Sequence, residues 1–171
     1  MNAVADPRTR RNGRHRNTRP RTLHLLDVEN LLGGRVCTAS VRTMWRNFVP
    51  AVDARWDDLS TVAVARRHAA TTFFALPGAV RRVVGGDGPD GADLALIESV
   101  DVDWVHRNFG RVVIASGDHI FAGLARQFST RGLEVVQVIG DGRCSAELYR
   151  ACSEHRYLPG GRRALDLTAC A

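Results

Sequence analysis

RVVIASGDHIFAGLARQFSTRGLEVVQVIG, residues 111–140, reads as one folding unit. An apolar, β-branched run (111–118) ends on Asp118. The next stretch (119–132) places Ile120, Leu124 and Phe128 at helical spacing with their side chains inward, and Gly132 stops it. A second apolar run (133–140) follows. Two buried strands joined by a helix pair in parallel, because the crossover returns the chain to the same edge.

The same alternation continues outward from this unit. Residues 23–28 read as a buried strand, and Val41, Met44, Trp45, Phe48, Val49 and Val52 mark one face of an amphipathic helix. Pro50 falls inside that pattern and predicts a kink or an early end. Residues 60–65 form a β-branched strand, 67–76 a short helix closed by Pro77-Gly78, and 80–86 a third strand. Residues 90–110 read as a helix with an acidic start and an inner face of Leu94, Ile97, Val100 and Trp104. Residues 145–158 read as a final helix capped by Ser145, and ALDLTA near the C-terminus adds a last strand. The expected fold is therefore α/β, a Rossmann-like three-layer sandwich with a mostly parallel central sheet.

Size and composition fit one such domain. The chain has 171 residues, 44% of them hydrophobic and 25% charged. No apolar run reaches membrane-span length, and no signal peptide is read, so a cytoplasmic protein with no membrane partner is expected. Cys37, Cys144, Cys152 and Cys170 show neither a C-x-x-C nor a zinc spacing and read as reduced thiols. All 24 basic residues are arginine, as in a GC-rich bacterial genome. Residues 1–21 hold Arg8, Arg10, Arg11, Arg14, Arg16, Arg19 and Arg21 against the single acid Asp6, which accounts for the whole net charge of +6. The expected organisation is a disordered arginine-rich arm (1–21) and a folded domain (22–171). The arm suits phosphate chains such as RNA, since guanidinium groups bind phosphate in bidentate fashion; a merely solvated tail is the bland alternative.

In parallel α/β folds, ligands sit beyond the carboxyl ends of the strands. Three carboxylates are expected there. LHLLDVEN (23–30) ends its strand on Asp27, Asp118 ends RVVIASGD, and Asp93 opens the helix that follows the third strand. Left unpaired, they repel one another and raise each other's pKa values. A hard divalent cation, Mg²⁺ or Mn²⁺, relieves that repulsion with oxygen ligands alone. Asn30 offers a neutral oxygen or a phosphate contact. The bland reading of each aspartate is a turn or helix cap. GGDGPD (85–90) is a single copy of a calcium-repeat pattern and reads as a loop, one that brings Asp87 or Asp90 near the rim. The lack of lysine excludes a P-loop and weakens a phosphatase reading, and no G-x-S-x-G elbow is present.

Three motifs in order resemble one family. LLDVEN resembles the D-x-x-N signature of the NYN domain, a PIN-like nuclease fold. GADLALIESV resembles its internal helix start, and VVIASGDHIFAGLARQFSTRGLEVVQVIG its S-G-D-x-D-F strand-turn-helix. The match spans residues 22–158. It implies a PIN-like parallel sheet and metal-dependent cleavage of RNA phosphodiester bonds. By this resemblance, Asp27, Asn30, Asp93 and Asp118 form the acidic catalytic site, with Asp27, Asp93 and Asp118 on Mg²⁺ or Mn²⁺. Asn30 and Ser116 position phosphate or water. Ile120 stands where the family carries its second aspartate, which implies weaker metal affinity, a single ion or an inactive site. Glu98 is poorly placed to replace it, and His119 reads as a surface residue at a helix start. The alternative function is a catalytically weakened module of the same fold that binds RNA or protein; homo-oligomerisation is left open.

Overall fold

A computed structural model describes residues 20–159. Six strands form one sheet, every pairing parallel: β1 (Thr22–Asp27), β2 (Leu59–Ala65), β3 (Arg81–Gly85), β4 (Arg111–Ala115), β5 (Glu134–Ile139) and β6 (Glu154–Tyr157). The order across the sheet is β3-β2-β1-β4-β5-β6. The chain starts in the middle, builds outward to β3, then crosses back to build the other half from β4. The reversal leaves a crevice beyond the carboxyl ends of β1 and β4, the switch point of a doubly wound sheet.

Alternating side chains give the sheet two buried faces, as a parallel sheet between helical layers requires. Leu23, Leu25, Val112, Ile114 and Val135 pack with α4 (Gly91–Glu98), α5 (Val102–Asn108), α6 (Ala122–Thr130) and α7 (Ala146–Ala151). Leu26, Val62, Val64, Val113, Val136 and Val138 pack on the opposite face. There they meet the one-turn α1 (Val28–Leu31), α2 (Thr38–Ala51) and α3 (Ala69–Phe73). In α2, Val41, Met44 and Phe48 are buried at i, i+3 and i+7, and the helix ends one residue after Pro50. None of the described helices is long and apolar enough to cross a membrane. Among the described residues, Cys37, Cys144 and Cys152 form no disulfide with one another.

The structure corrects three sequence readings. Residues 90–110 are two helices, because Asp101 accepts the Trp104 N–H and caps a new start. In the first helix Ala92 and Leu96 face the core and Leu94 stands 47% exposed, and Trp104, in the second, stands 41% exposed. Residues 145–158 are a helix of six residues followed by edge strand β6, which pairs with β5 from Val136↔Glu154 to Ile139↔Tyr157. Arg21 belongs to the domain: its Nε donates to the Asp57 carbonyl at 2.8 Å and its guanidinium lies 5.0 Å from the Phe109 ring centre. The other six arm arginines and the expected C-terminal strand lie outside the described residues.

Candidate metal centre

Strand register brings the first contact. Leu26 pairs with Ala115, so the next residues out, Asp27 and Ser116, meet beyond the sheet. The Ser116 hydroxyl donates to Asp27 Oδ2 at 2.9 Å, while the Asn30 N–H donates to Oδ1 at 3.1 Å. Asp27 is thus the N-cap of α1 as well as the end of β1, and it is only 4% exposed. Ser116 Oγ also accepts the Asp118 N–H at 3.1 Å, which fixes the turn after β4. The Asn30 amide closes this turn from the other side. Its Oδ1 accepts the Gly117 N–H at 2.8 Å and its Nδ2 donates to the Arg143 carbonyl at 3.4 Å. Ser116 and Asn30 are therefore both engaged with the protein itself.

The third segment arrives because Gly85 lacks a side chain. A Cβ at Gly85 would overlap the Gly91 carbonyl and come within 2.5 Å of Ala92 Cα. The first turn of α4 therefore lies against the end of β3, which sets Asp93 at the same rim. Asp90 precedes that turn with φ 56° and ψ 10°, a left-handed conformation that few residues other than glycine, asparagine and aspartate adopt. One carboxylate oxygen from each of Asp90, Asp93 and Asp118 falls within 4.8 Å of the others. Asp27 joins this group through a hydrogen bond with Asp93. The sequence-named Asp27, Asn30, Asp93, Asp118 and Ser116 meet at one rim, and of the two loop acids the sequence reading offered there, Asp87 and Asp90, it is Asp90 that joins them.

The electrostatics are those of a site short of positive charge. Burial pushes the Asp93 carboxyl up to about 8, helped by repulsion from Asp27, by its hydrogen bond to Asp27, and by the charges of Asp118 and Asp90. Burial also raises Asp27, against the opposing hydrogen bonds from Asn30, Ser116 and Asp93. Burial and the neighbouring carboxylates thus favour a proton held by the Asp27–Asp93 pair near neutral pH. His119 Nδ1 lies 2.9 Å from Asp118 Oδ1. Glu29 is kept apart from the cluster's own bonds: Ala65 N–H and Arg67 Nη2 hold its two oxygens at 2.9 and 2.8 Å.

A chelated, metal-free sample should show the consequence in its melting. The Asp93 carboxyl holds its proton up to about 8 in the folded chain and to 3.8 ordinarily, so the folded state binds more protons between those values. Its contribution to stability is complete below about pH 4 and is lost as pH rises through 8. The melting temperature should fall from pH 5.5 to 8.5, and Mn²⁺ should flatten that fall; thermal scans in chelator and in Mn²⁺ measure both.

Ile120 is half-buried and its side chain packs on the core, while its N–H donates to Asp118 Oδ1 at 3.1 Å. On the far side of Asp118, a cleft of about 840 Å³ opens toward α7, lined by Asp90, Gly117, Asp118, His119, Arg143, Cys144 and Ser145 among others. The three clustered aspartates are able to bind a metal ion through oxygen alone. Compared with known proteins, the chain matches no protein-family model and no curated relative.

Proposed function

We propose that the chain is a cytoplasmic, divalent-metal-dependent ribonuclease of the NYN/PIN-like type. The observation that carries the reading is the convergence of Asp27, Asp90, Asp93 and Asp118, from three separate segments, at the switch point of a parallel sheet. Aspartates serving only as caps have no reason to crowd until one is held protonated near neutral pH. The residues present fit Mg²⁺ or Mn²⁺, since the donor set is all hard oxygen and its charge is uncompensated. Asp90, Asp93 and Asp118 would hold the ion, and Asp27 would join them once the proton it shares with Asp93 is lost. When bound, the ion supplies charge stabilisation at the scissile phosphate and acidifies the attacking water.

The protein's own residues do the positioning. Ser116 orients Asp27 and, through the Asp118 N–H, the second strand end. Asn30 ties both turns to the loop after β5. The ordered motifs of residues 22–158 support RNA as the substrate. The experiment is cleavage of a single-stranded RNA panel with Mn²⁺: the reading expects cutting that chelation abolishes, and no cutting under any divalent ion would overturn it. One observation favours the second reading, a binding module of the same fold. Ile120 offers no ligand at the family's second aspartate, and its half-buried packing leaves the carboxylates one fewer partner there.

The arm enters as the substrate-holding segment. Six arginines precede Arg21, and engaging about half of them on single-stranded RNA should contribute about 2 units of log–log salt slope. Deleting residues 1–19 should flatten the slope by that amount in affinity measurements at several salt concentrations. Equal slopes would make the arm irrelevant to RNA.

A further inference from the structure

We infer that Arg143 forms a phosphate subsite on the α7 side of the carboxylates, taking a backbone phosphate next to the scissile one in a single-stranded RNA. The inference rests on the ribonuclease reading for the identity of the chain it binds.

The cleft beside the metal centre carries both charges: Asp90, Asp118 and Glu147 line it together with Arg143, Cys144 and Ser145. Its volume of about 840 Å³ is within the range of sites that enclose a nucleotide-sized ligand. Three other arginines near this edge are ion-paired. Arg67 is paired with Glu29 at 2.8 Å, Arg126 with Glu147 at 3.0 Å, and Arg35 with Asp141 at 3.4 Å. Among the described residues, the Arg143 guanidinium has neither an ion pair nor a hydrogen bond, although three carboxylates, Asp90, Asp118 and Glu147, line the same cleft. Its charge is left available in the space where a substrate would lie.

The backbone beneath it is fixed. The Ser145 N–H donates to the Gly117 carbonyl at 2.7 Å, and the Asp141 N–H to the Leu31 carbonyl at 3.0 Å. Asn30 Nδ2 bonds the Arg143 carbonyl itself. The loop bearing Arg143 is thus tied to the same turns that carry Asp27 and Asp118. A phosphodiester seated on the aspartates' ion would direct its neighbour along the cleft toward a guanidinium whose backbone is held by the site's own turns. Arginine suits that role, since its fork meets two phosphate oxygens together. The arrangement is one-sided: the RNA leaves the metal centre toward α7.

The test is binding, measured apart from cleavage. A fluorescent 12-mer RNA is titrated in Mn²⁺ against the Asp93→Asn protein and against the same protein carrying Arg143→Ala, Arg143→Lys or, as a charge-loss control, Arg107→Ala. Arg107 is in the last turn of α5, which leads into the opposite, amino end of β4. Arg143→Ala should weaken binding about tenfold or more, the scale of a charge-assisted contact. It should also make the salt slope shallower by about 0.7. Lysine should keep the slope and recover part of the affinity; Arg107→Ala should bind as the parent does. Equal affinity and slope for the Arg143→Ala and Arg107→Ala proteins would overturn the subsite. Failure of the ribonuclease reading is seen separately, as wild-type protein that binds RNA without cutting it.

Discussion

Asp93→Asn is expected to lose Mn²⁺-dependent RNA cleavage and yet melt no lower than wild type. In the metal-free protein, Asp93 is held protonated up to about 8, with burial and three neighbouring aspartates all opposing its charge. Asparagine reproduces that protonated state: its amide can donate to Asp27 as the acid does, and it cannot ionise. Stability at pH 7 should therefore be unchanged, and above pH 8 the variant should be the more stable protein, because one charge has left a crowded site. Cleavage should fall by about 10²-fold or more, since changes merely behind metal ligands cost about 10–100-fold and a direct ligand at least as much. Site residues that cost stability while serving function behave in this opposed way. A variant that cuts as fast as wild type would make Asp93 structural.

Gly117→Ala should have the largest effect on stability. A Cβ at Gly117 would overlap the Arg143 carbonyl oxygen and come within 2.9 Å of Cys144 Cα, both backbone atoms. Neither can rotate aside as a side-chain tip would. The loop after β5 must move as a body, and with it go the Ser145 N–H bond to Gly117 and the Asn30 bonds to Gly117 and Arg143. The expected loss is about 3 kcal/mol or more, the upper end of overpacking costs. For a domain of this size that is a fall of roughly 6–12 °C. Gly123, in α6, is the contrast, with nothing within 4 Å of its added Cβ. Gly123→Ala should be neutral or stabilising by up to about 1 kcal/mol through helix propensity. Melts of the two variants side by side test the packing: equal melting temperatures would mean the loop does not press on Gly117.

The carboxyl ends of β1 and β4 were legible because a buried strand that stops on a carboxylate is a local signal. The apolar runs before Asp27 and Asp118 fixed both strands, and the βαβ spacing fixed their parallel sense. Edge strand β6 was not legible. Glu154–Tyr157 is polar and only partly buried, and it follows a helical stretch without a break residue; its pairing with β5 is what makes it a strand. The break between α4 and α5 was likewise hidden, since Asp101 reads equally as an interior acid and as a cap. Asp90 was legible only as an alternative to Asp87, for a conformational reason. Its place in the site depends on a left-handed backbone in a GPDG loop, and nothing in periodicity reports that. By resemblance Ser116 and Asn30 read as positioning phosphate or water. That they hold Asp27, Gly117 and Arg143 depends on strand register and loop packing.

Calorimetric titration of Mn²⁺ into the wild-type and Asp118→Asn proteins at pH 7, in two buffers of different ionisation enthalpy, tests the central claim most directly. A centre built from Asp27, Asp90, Asp93 and Asp118 predicts saturable binding to wild type with release of about one proton, the one Asp93 holds up to about 8, and severely weakened binding to Asp118→Asn. Absence of saturable heat with wild type, or the same binding by both proteins, would contradict it.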